Sequence, residues 1–98
     1  MTGNKANGIL LIEGKRADRP SFFLGLSRKG FQVDVVSNGS AAVAYIAEKQ
    51  PQVILVDAAS MRTNGKRICR SLRQSAPGVP LILVIEPKYG SADEFDAN

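Results

Sequence analysis

The sequence has no histidine and only one cysteine, Cys69, among its 98 residues. The absence of histidine excludes a Cys/His metal site and a histidine general base, and a single cysteine cannot form an internal disulfide. Cys69 falls on the inner face of a predicted helix, where a small core residue is expected. Since no pair of nucleophile and base stands out, we expect that the chain is not an enzyme.

Long apolar runs and phosphate-binding loops are also absent. No hydrophobic stretch approaches the roughly 20 residues that cross a membrane, and the polar start MTGNKANG lacks the apolar core of a signal peptide. Neither GxGxxG nor GxxxxGK[ST] occurs, which disfavours the nucleotide-binding folds that use these loops. We therefore expect a cytoplasmic protein without a membrane partner.

Positive charge is in excess, with a formal net charge of +4 at pH 7. Basic residues crowd one short stretch, namely Arg62, Lys66, Arg67, Arg70 and Arg73. Such a surface permits nucleic-acid contact, and we keep this as an alternative function. Because no aromatic residue is interleaved with these charges, a solvated helix face is the simpler interpretation.

Four short apolar runs predict four β-strands. They cover residues 8–13 (GILLIE), 31–37 (FQVDVVS), 53–57 (VILVD) and 81–86 (LILVIE). Glycine, proline or asparagine borders three of these runs, as is typical of strands, and Pro51 lies two residues before the third run. The third and fourth runs are continuously apolar, which predicts strands buried on both faces.

Helices are predicted between the strands, over residues 20–29, 41–49 and 65–76. Gly30 follows the first helix as a C-terminal glycine often does, and Asn64 is suited to cap the third. In the third helix the apolar residues share one face and the basic residues take the other. The apolar set is Ile68, Cys69, Leu72 and Ala76.

The alternation of strands and helices predicts one α/β domain with parallel strands and right-handed crossovers. We place this domain at residues 8–87, after a polar lead-in of residues 1–7 and before a tail of residues 88–98. In open sheets of this kind, function gathers at the carboxyl ends of the strands. The residues at those ends are Glu13, Asp57 and Glu86.

This arrangement resembles the receiver domain of two-component response regulators, a flavodoxin-like (CheY-like) fold. The resemblance is carried by ILLIEG, by VPLILVIE and by GFQVDVVSNGSAAVAYIAEKQPQVILVD, in which Asp57 falls on the family's phosphoacceptor. It implies a doubly wound parallel sheet of strand order 2-1-3-4. The family's fifth strand, which carries a lysine, is missing because the sequence ends before it, so we expect a truncated receiver.

Several departures from the family fall on its chemistry. The family's first strand ends in two acidic residues, whereas this sequence has Glu13 and Gly14. The resemblance implies a Mg²⁺ ion held by Glu13, Asp57 and the backbone carbonyl of Ala59, which is a thin set of ligands, so we expect Mg²⁺ to bind weakly at most and no other cofactor. Ile85 stands where the family has a serine or threonine, and it cannot make a charged hydrogen bond worth about 1.5–3 kcal/mol.

These departures predict a degenerate, or pseudo-, receiver that serves as a phosphate-independent protein-interaction module. Its expected partners are proteins, namely a histidine kinase or an output domain. The alternative is a receiver that a histidine kinase phosphorylates on Asp57 with Mg²⁺. With no fifth strand beside it, the run 81–86 becomes an edge strand, and we therefore expect a homodimer.

Overall fold

The predicted strands form one parallel sheet in a computed structural model that describes residues 8–15, 20–61 and 63–86. The strands are β1 (Gly8–Glu13), β2 (Gln32–Val36), β3 (Val53–Asp57) and β4 (Leu81–Val84), and the helices are α1 (Phe23–Arg28), α2 (Gly39–Glu48) and α3 (Lys66–Ser75). The sheet order is β2-β1-β3-β4, with every pair parallel. This confirms the predicted fold and strand order. The lead-in 1–7, the tail 88–98 and Arg62 lie outside the described residues.

β1 is the centre of the molecule because it lies between β2 and β3. Its four apolar residues, Ile9 to Ile12, are all buried, so both faces of the strand are covered. Complete burial of an aliphatic side chain contributes about 1.5–3 kcal/mol. The unbroken apolar run in the sequence is therefore explained by the position of β1 in the sheet.

The main hydrophobic core lies between one face of the sheet and helices α2 and α3. Its sheet residues are Leu10, Ile12, Ile54 and Val56, and its helix residues include Ala42, Ile46, Cys69 and Leu72. Cys69 is completely buried, as predicted for a core residue. The pKa of its thiol is raised by burial, and the positive charge of the nearby Arg73 offsets only part of this rise.

The opposite face of the sheet is less covered. Right-handed connections place α1 on this face and α2 and α3 on the other. The chain moves along the sheet in one direction from β1 to β2, and in the opposite direction from β2 to β3 and from β3 to β4. No residue of α1 is buried, whereas Val35 on β2 and Ile82 on β4 are 44% and 54% exposed. This face therefore presents apolar side chains to solvent.

The fourth strand differs from its prediction in two ways. It ends at Val84 rather than at residue 86, and exposed Ile82 shows that it is not buried on both faces. Within the described part of the sheet, β4 pairs with β3 alone and is an edge strand. The apolar run predicted the strand, but the coverage of its second face depends on which elements lie beside it.

Helix boundaries depend on polar side chains and glycines. Asn38 caps α2, where its side-chain oxygen accepts a hydrogen bond from the backbone N–H of Ala41 at 2.8 Å. The N-cap of α3 is Gly65, not Asn64 as predicted, because the chain enters that helix with a left-handed backbone at residue 65. The oxygen of the Asn64 side chain still accepts a hydrogen bond from the N–H of Lys66, at 3.0 Å.

A side-chain hydrogen bond ties α2 to β2. The Tyr45 hydroxyl donates to a carboxylate oxygen of Asp34 at 2.6 Å. Burial, this hydrogen bond and the negative charge of Asp34 together raise the pKa of Tyr45 to about 12. The phenol therefore stays protonated, and remains a donor, at neutral pH.

Candidate functional site

Two carboxylates lie side by side at the carboxyl edge of the sheet. Glu13 at the end of β1 is the register partner of Asp57 at the end of β3. Side chains at paired positions of neighbouring strands point to the same face, so both carboxylates share one side of the sheet. Asp57 is only 1% exposed, whereas Glu13 is partly exposed.

Ser60 connects the ends of these two strands. It belongs to a short 3-10 turn, Ala58–Met61, that directly follows β3. Its hydroxyl donates to the backbone carbonyl of Asp57 at 2.7 Å and accepts from the backbone N–H of Gly14 at 2.8 Å. Its own N–H donates to the Asp57 carboxylate at 3.3 Å. One serine therefore holds the turn against β1 and also contacts the predicted phosphoacceptor.

The close contact between Gly14 and the turn has a steric consequence. A Cβ atom at position 14 would lie 2.6 Å from the backbone oxygen of Ser60 and 3.0 Å from Cγ of Met61. The first of these contacts is with the backbone and cannot be relieved by a side-chain rotation. Only glycine fits here, because the turn occupies the space that any side chain at position 14 would need.

The carboxylate of Glu13 is held from the side of α1. The Ser21 hydroxyl donates a hydrogen bond to Oε1 of Glu13 and accepts one from the N–H of Phe23 at 3.0 Å. Ser21 thus links the first turn of α1 to the end of β1. The acidic edge is therefore contacted by serines from two different segments, Ser21 and Ser60.

The fold and the acidic edge agree with a comparison against known families. The family model described as the response regulator receiver domain matches residues 9–91. The chain belongs to the receiver domain family of response regulators. The resemblance noted in the sequence is thereby confirmed.

Curated relatives of this receiver domain are named response regulators. The proteins named Response regulator MprA from Mycobacterium sp. (strain KMS) and from Mycobacterium avium (strain 104) are each 30% identical over 76 residues, and the one from Mycobacterium leprae (strain TN) is 29% identical over 76 residues. Each match covers 78% of this chain and 33% of the relative, so the chain spans about a third of their length. No solved structure matches the chain.

The residues of the receiver domain do not fit the Mg²⁺ ligand set that its family implies. Glu13 and Asp57 supply one carboxylate each. Ala59, whose backbone carbonyl was the third predicted ligand, lies in the buried turn after β3. The position of the family's second strand-end carboxylate is Gly14, where even a Cβ atom would collide with Ser60. Within residues 8–15, 20–61 and 63–86, no group of three or more His, Cys, Asp or Glu side chains lies close enough to hold a metal ion.

The other predicted site residues of the receiver domain are placed as follows. Ile85 follows β4 and packs against the main core, so the position of the family's hydroxyl is filled by hydrocarbon. Four of the five predicted basic residues lie on α3, where Arg67, Arg70 and Arg73 are exposed and Lys66 is partly exposed.

In the described part of the chain, no helix is both long enough and apolar enough to span a membrane.

Sequence reasoning missed the roles of Ser21 and Ser60. Serine hydroxyls often bond to backbone groups a few residues away, so a serine three residues after Asp57 was a signal for a bond to that residue. The bond from Gly14 to Ser60 spans 46 positions in sequence, and no local pattern indicates it.

Proposed function

We propose that this receiver domain is a protein-interaction module in signal transduction whose action does not depend on phosphorylation of Asp57. The observation that carries the proposal is the contact between Gly14 and the turn at Ser60. A collision distance of 2.6 Å for a Cβ atom leaves no space for a second metal-binding carboxylate. Without that charge, a cation that would offset a new phosphoryl group is held more weakly.

The burial of Asp57 supports the same proposal. A phosphodonor has to bring its phosphorus atom to a carboxylate oxygen, yet Asp57 is 1% exposed and lies under the turn that Ser60 anchors. Opening this turn would break the hydrogen bonds from Ser60 to Asp57 and from Gly14 to Ser60. The closed turn therefore opposes phosphoryl transfer to Asp57, because it has to open before a phosphodonor can reach the carboxylate.

The response to a phosphoryl group is also weakened. Ile85 has no hydroxyl that could bond to a phosphoryl oxygen, and such a bond to a charged group contributes about 1.5–3 kcal/mol. Each 1.4 kcal/mol changes the ratio of two conformations about tenfold. A phosphoryl group on Asp57 would therefore shift the domain between conformations far less than in a receiver that has the hydroxyl.

The partners we propose are cytoplasmic proteins of a signalling pathway, namely a histidine kinase or an output domain. The relatives in Mycobacterium are named response regulators, and this chain spans about a third of their length. A receiver domain acts through contacts with other domains, and such contacts need no phosphate when one conformation is fixed. The hydrogen bonds of Ser60 provide a fixed conformation at the acidic edge.

Incubation with Mg²⁺ and acetyl phosphate tests the proposal directly. We expect the intact mass of the protein to remain that of the unmodified chain after an incubation that fully phosphorylates an active receiver run in parallel. Asp57→Ala is the control that would assign any added phosphate to this position. A phosphorylated product that disappears in Asp57→Ala would refute phosphate independence and support the alternative function as a phosphoacceptor.

We also propose self-association through the less covered face of the sheet. Ile82 on β4 is 54% exposed on this face, and burying such a side chain contributes about 1.5–3 kcal/mol. Sedimentation equilibrium is expected to show a dimer that Ile82→Glu weakens about tenfold or more. Ala47→Glu is the control, since Ala47 is exposed on α2, which covers the opposite face of the sheet, and its replacement should leave the dimer intact. A monomer at high micromolar concentration, or equal effects of both variants, would contradict this interface.

A further inference from the structure

A groove between helices α2 and α3 shares no residue with the acidic edge of the sheet. It encloses about 480 Å³ and is lined by Asn38, Ser40 and Val43 on one side and by Arg67, Ile68 and Ser71 on the other. We call it the α2–α3 groove. The helices meet at its floor, because a Cβ atom at Gly39 would lie 3.5 Å from Cγ1 of Ile68.

The α2–α3 groove combines an apolar floor with a positive wall. Val43 and Ile68 are partly buried and pack against the main core, whereas Arg67 is exposed at the rim. The first N–H groups of a helix have no acceptor within that helix, and they carry partial positive charge. α2 begins at Gly39, and although Asn38 caps the N–H of Ala41, the positive end of the helix dipole lies beside Arg67 at the same groove.

Negative charge is scarce on both helices. The ten residues of α3 include Lys66, Arg67, Arg70 and Arg73 and no acidic residue. The single acidic residue of α2 is Glu48, at the end of the helix that is farthest from the groove. A surface with one sign of charge attracts a partner of the opposite sign and selects against partners of the same sign.

We propose that the α2–α3 groove binds an acidic segment of a partner protein. A carboxylate of the segment would pair with Arg67, and an apolar side chain would cover Val43 and Ile68. The inference rests on the proposed function as an interaction module and names the chemistry of the partner.

A nucleic acid fits the groove less well than an acidic peptide. Its phosphates would use the positive charge but would leave the apolar floor unfilled. Stacking on aromatic side chains is the usual way in which proteins hold single-stranded bases, and none of the described residues that line the groove is aromatic. The mixed character of the groove therefore favours a peptide that has both carboxylates and aliphatic side chains.

Titration of the ¹⁵N-labelled full chain tests this inference. The probe is a synthetic peptide of alternating Asp, Glu and Leu, and the control peptide replaces each acid by Asn or Gln. At low ionic strength we expect saturable shift changes at Val43, Ile68 and Ser71 with the acidic peptide alone. Shift changes elsewhere, or none at millimolar peptide with both the untreated and the acetyl phosphate-treated chain, would overturn the proposal.

Charge reversal at the rim provides the matched comparison. Arg67→Glu is expected to weaken peptide binding about tenfold, because it removes an exposed ion pair and adds repulsion. Arg28→Glu, which makes the same change at the end of α1, should leave the affinity within about twofold if the pairing is local. Equal losses in both variants would show attraction by net charge alone and would overturn the site.

The remaining outcomes separate this inference from the proposed function. A duplex DNA that binds while the acidic peptide does not, with loss on Arg67→Glu, would overturn the inference in favour of nucleic acid. Peptide binding that requires a phosphoryl group on Asp57, detected by intact mass, would support the groove and refute phosphate independence. Failure of the peptide in both states would overturn the groove alone, because the acetyl phosphate result does not depend on it.

Discussion

Gly14→Asp is expected to destabilise the domain by about 3 kcal/mol, although it restores the acidic pair of the family. The new Cβ atom would lie 2.6 Å from the Ser60 backbone oxygen, so the turn after β3 has to move. Moving it breaks the hydrogen bond from Gly14 to Ser60 and disturbs the cover over Asp57. Urea unfolding followed by circular dichroism measures the loss. We further expect that Gly14→Asp by itself brings no phosphorylation of Asp57.

Gly25→Ala is the control for adding side-chain atoms to a glycine. Gly25 lies within α1 and has nothing within 4 Å of a Cβ atom, so alanine should be neutral or stabilise by about 0.5–1 kcal/mol. If Gly14→Asp kept the original stability and gained Mg²⁺-dependent phosphorylation, the closed turn would not be what prevents phosphorylation of Asp57. The explanation offered for phosphate independence would then be wrong.

Gly65→Ala is expected to cost about 2–4 kcal/mol for two separate reasons. The backbone of Gly65 has φ = +75°, a left-handed conformation that residues with a Cβ atom adopt at a cost. The added atom would also lie 2.8 Å from Cδ1 of Leu83 and 3.0 Å from Cβ of Ala58. The change therefore forces the Leu83 side chain to move and presses the start of α3 against the turn after β3. Thermal and urea unfolding both report the loss.

Gly30→Ala separates these two causes. Gly30 lies two residues after α1 and has φ = +97°, but nothing lies within 4 Å of a Cβ atom there. It is therefore expected to lose only the conformational part, about 1–2 kcal/mol. Equal losses at both glycines would mean that the approach of Leu83 to Gly65 does not matter for stability.

Much of the fold follows from local patterns in this sequence. The bounds of β1 and β3 agree with the apolar runs 8–13 and 53–57, because each run is unbroken up to the acidic residue that ends the strand. The fourth run was predicted to be an edge strand, which agrees with the described sheet, but its predicted burial on both faces is wrong because Ile82 is 54% exposed. Helix α3 was expected to be capped by Asn64, yet the left-handed backbone at Gly65 moves the cap by one residue.

The acidic edge was only partly predictable. Acidic residues at two strand ends, in a parallel sheet, were sufficient to predict that Glu13 and Asp57 are neighbours, and the strand register places them side by side. The absence of a second carboxylate at Gly14 was also plain from the sequence. The sequence does not show that a side chain at position 14 would collide with Ser60 and Met61, because these residues come from a distant segment of the chain.

By itself, the sequence determined the order of strands and helices, the excess of positive charge on α3 and the chemical groups at the strand ends. These depend on side-chain type and on spacing along the chain, which govern burial and hydrogen bonding over short distances. Only the tertiary structure decided that Ser60 bonds to Gly14 and that the start of α2 meets Ile68 to form a groove. Both features join segments far apart in the chain, and packing alone sets the distances between them.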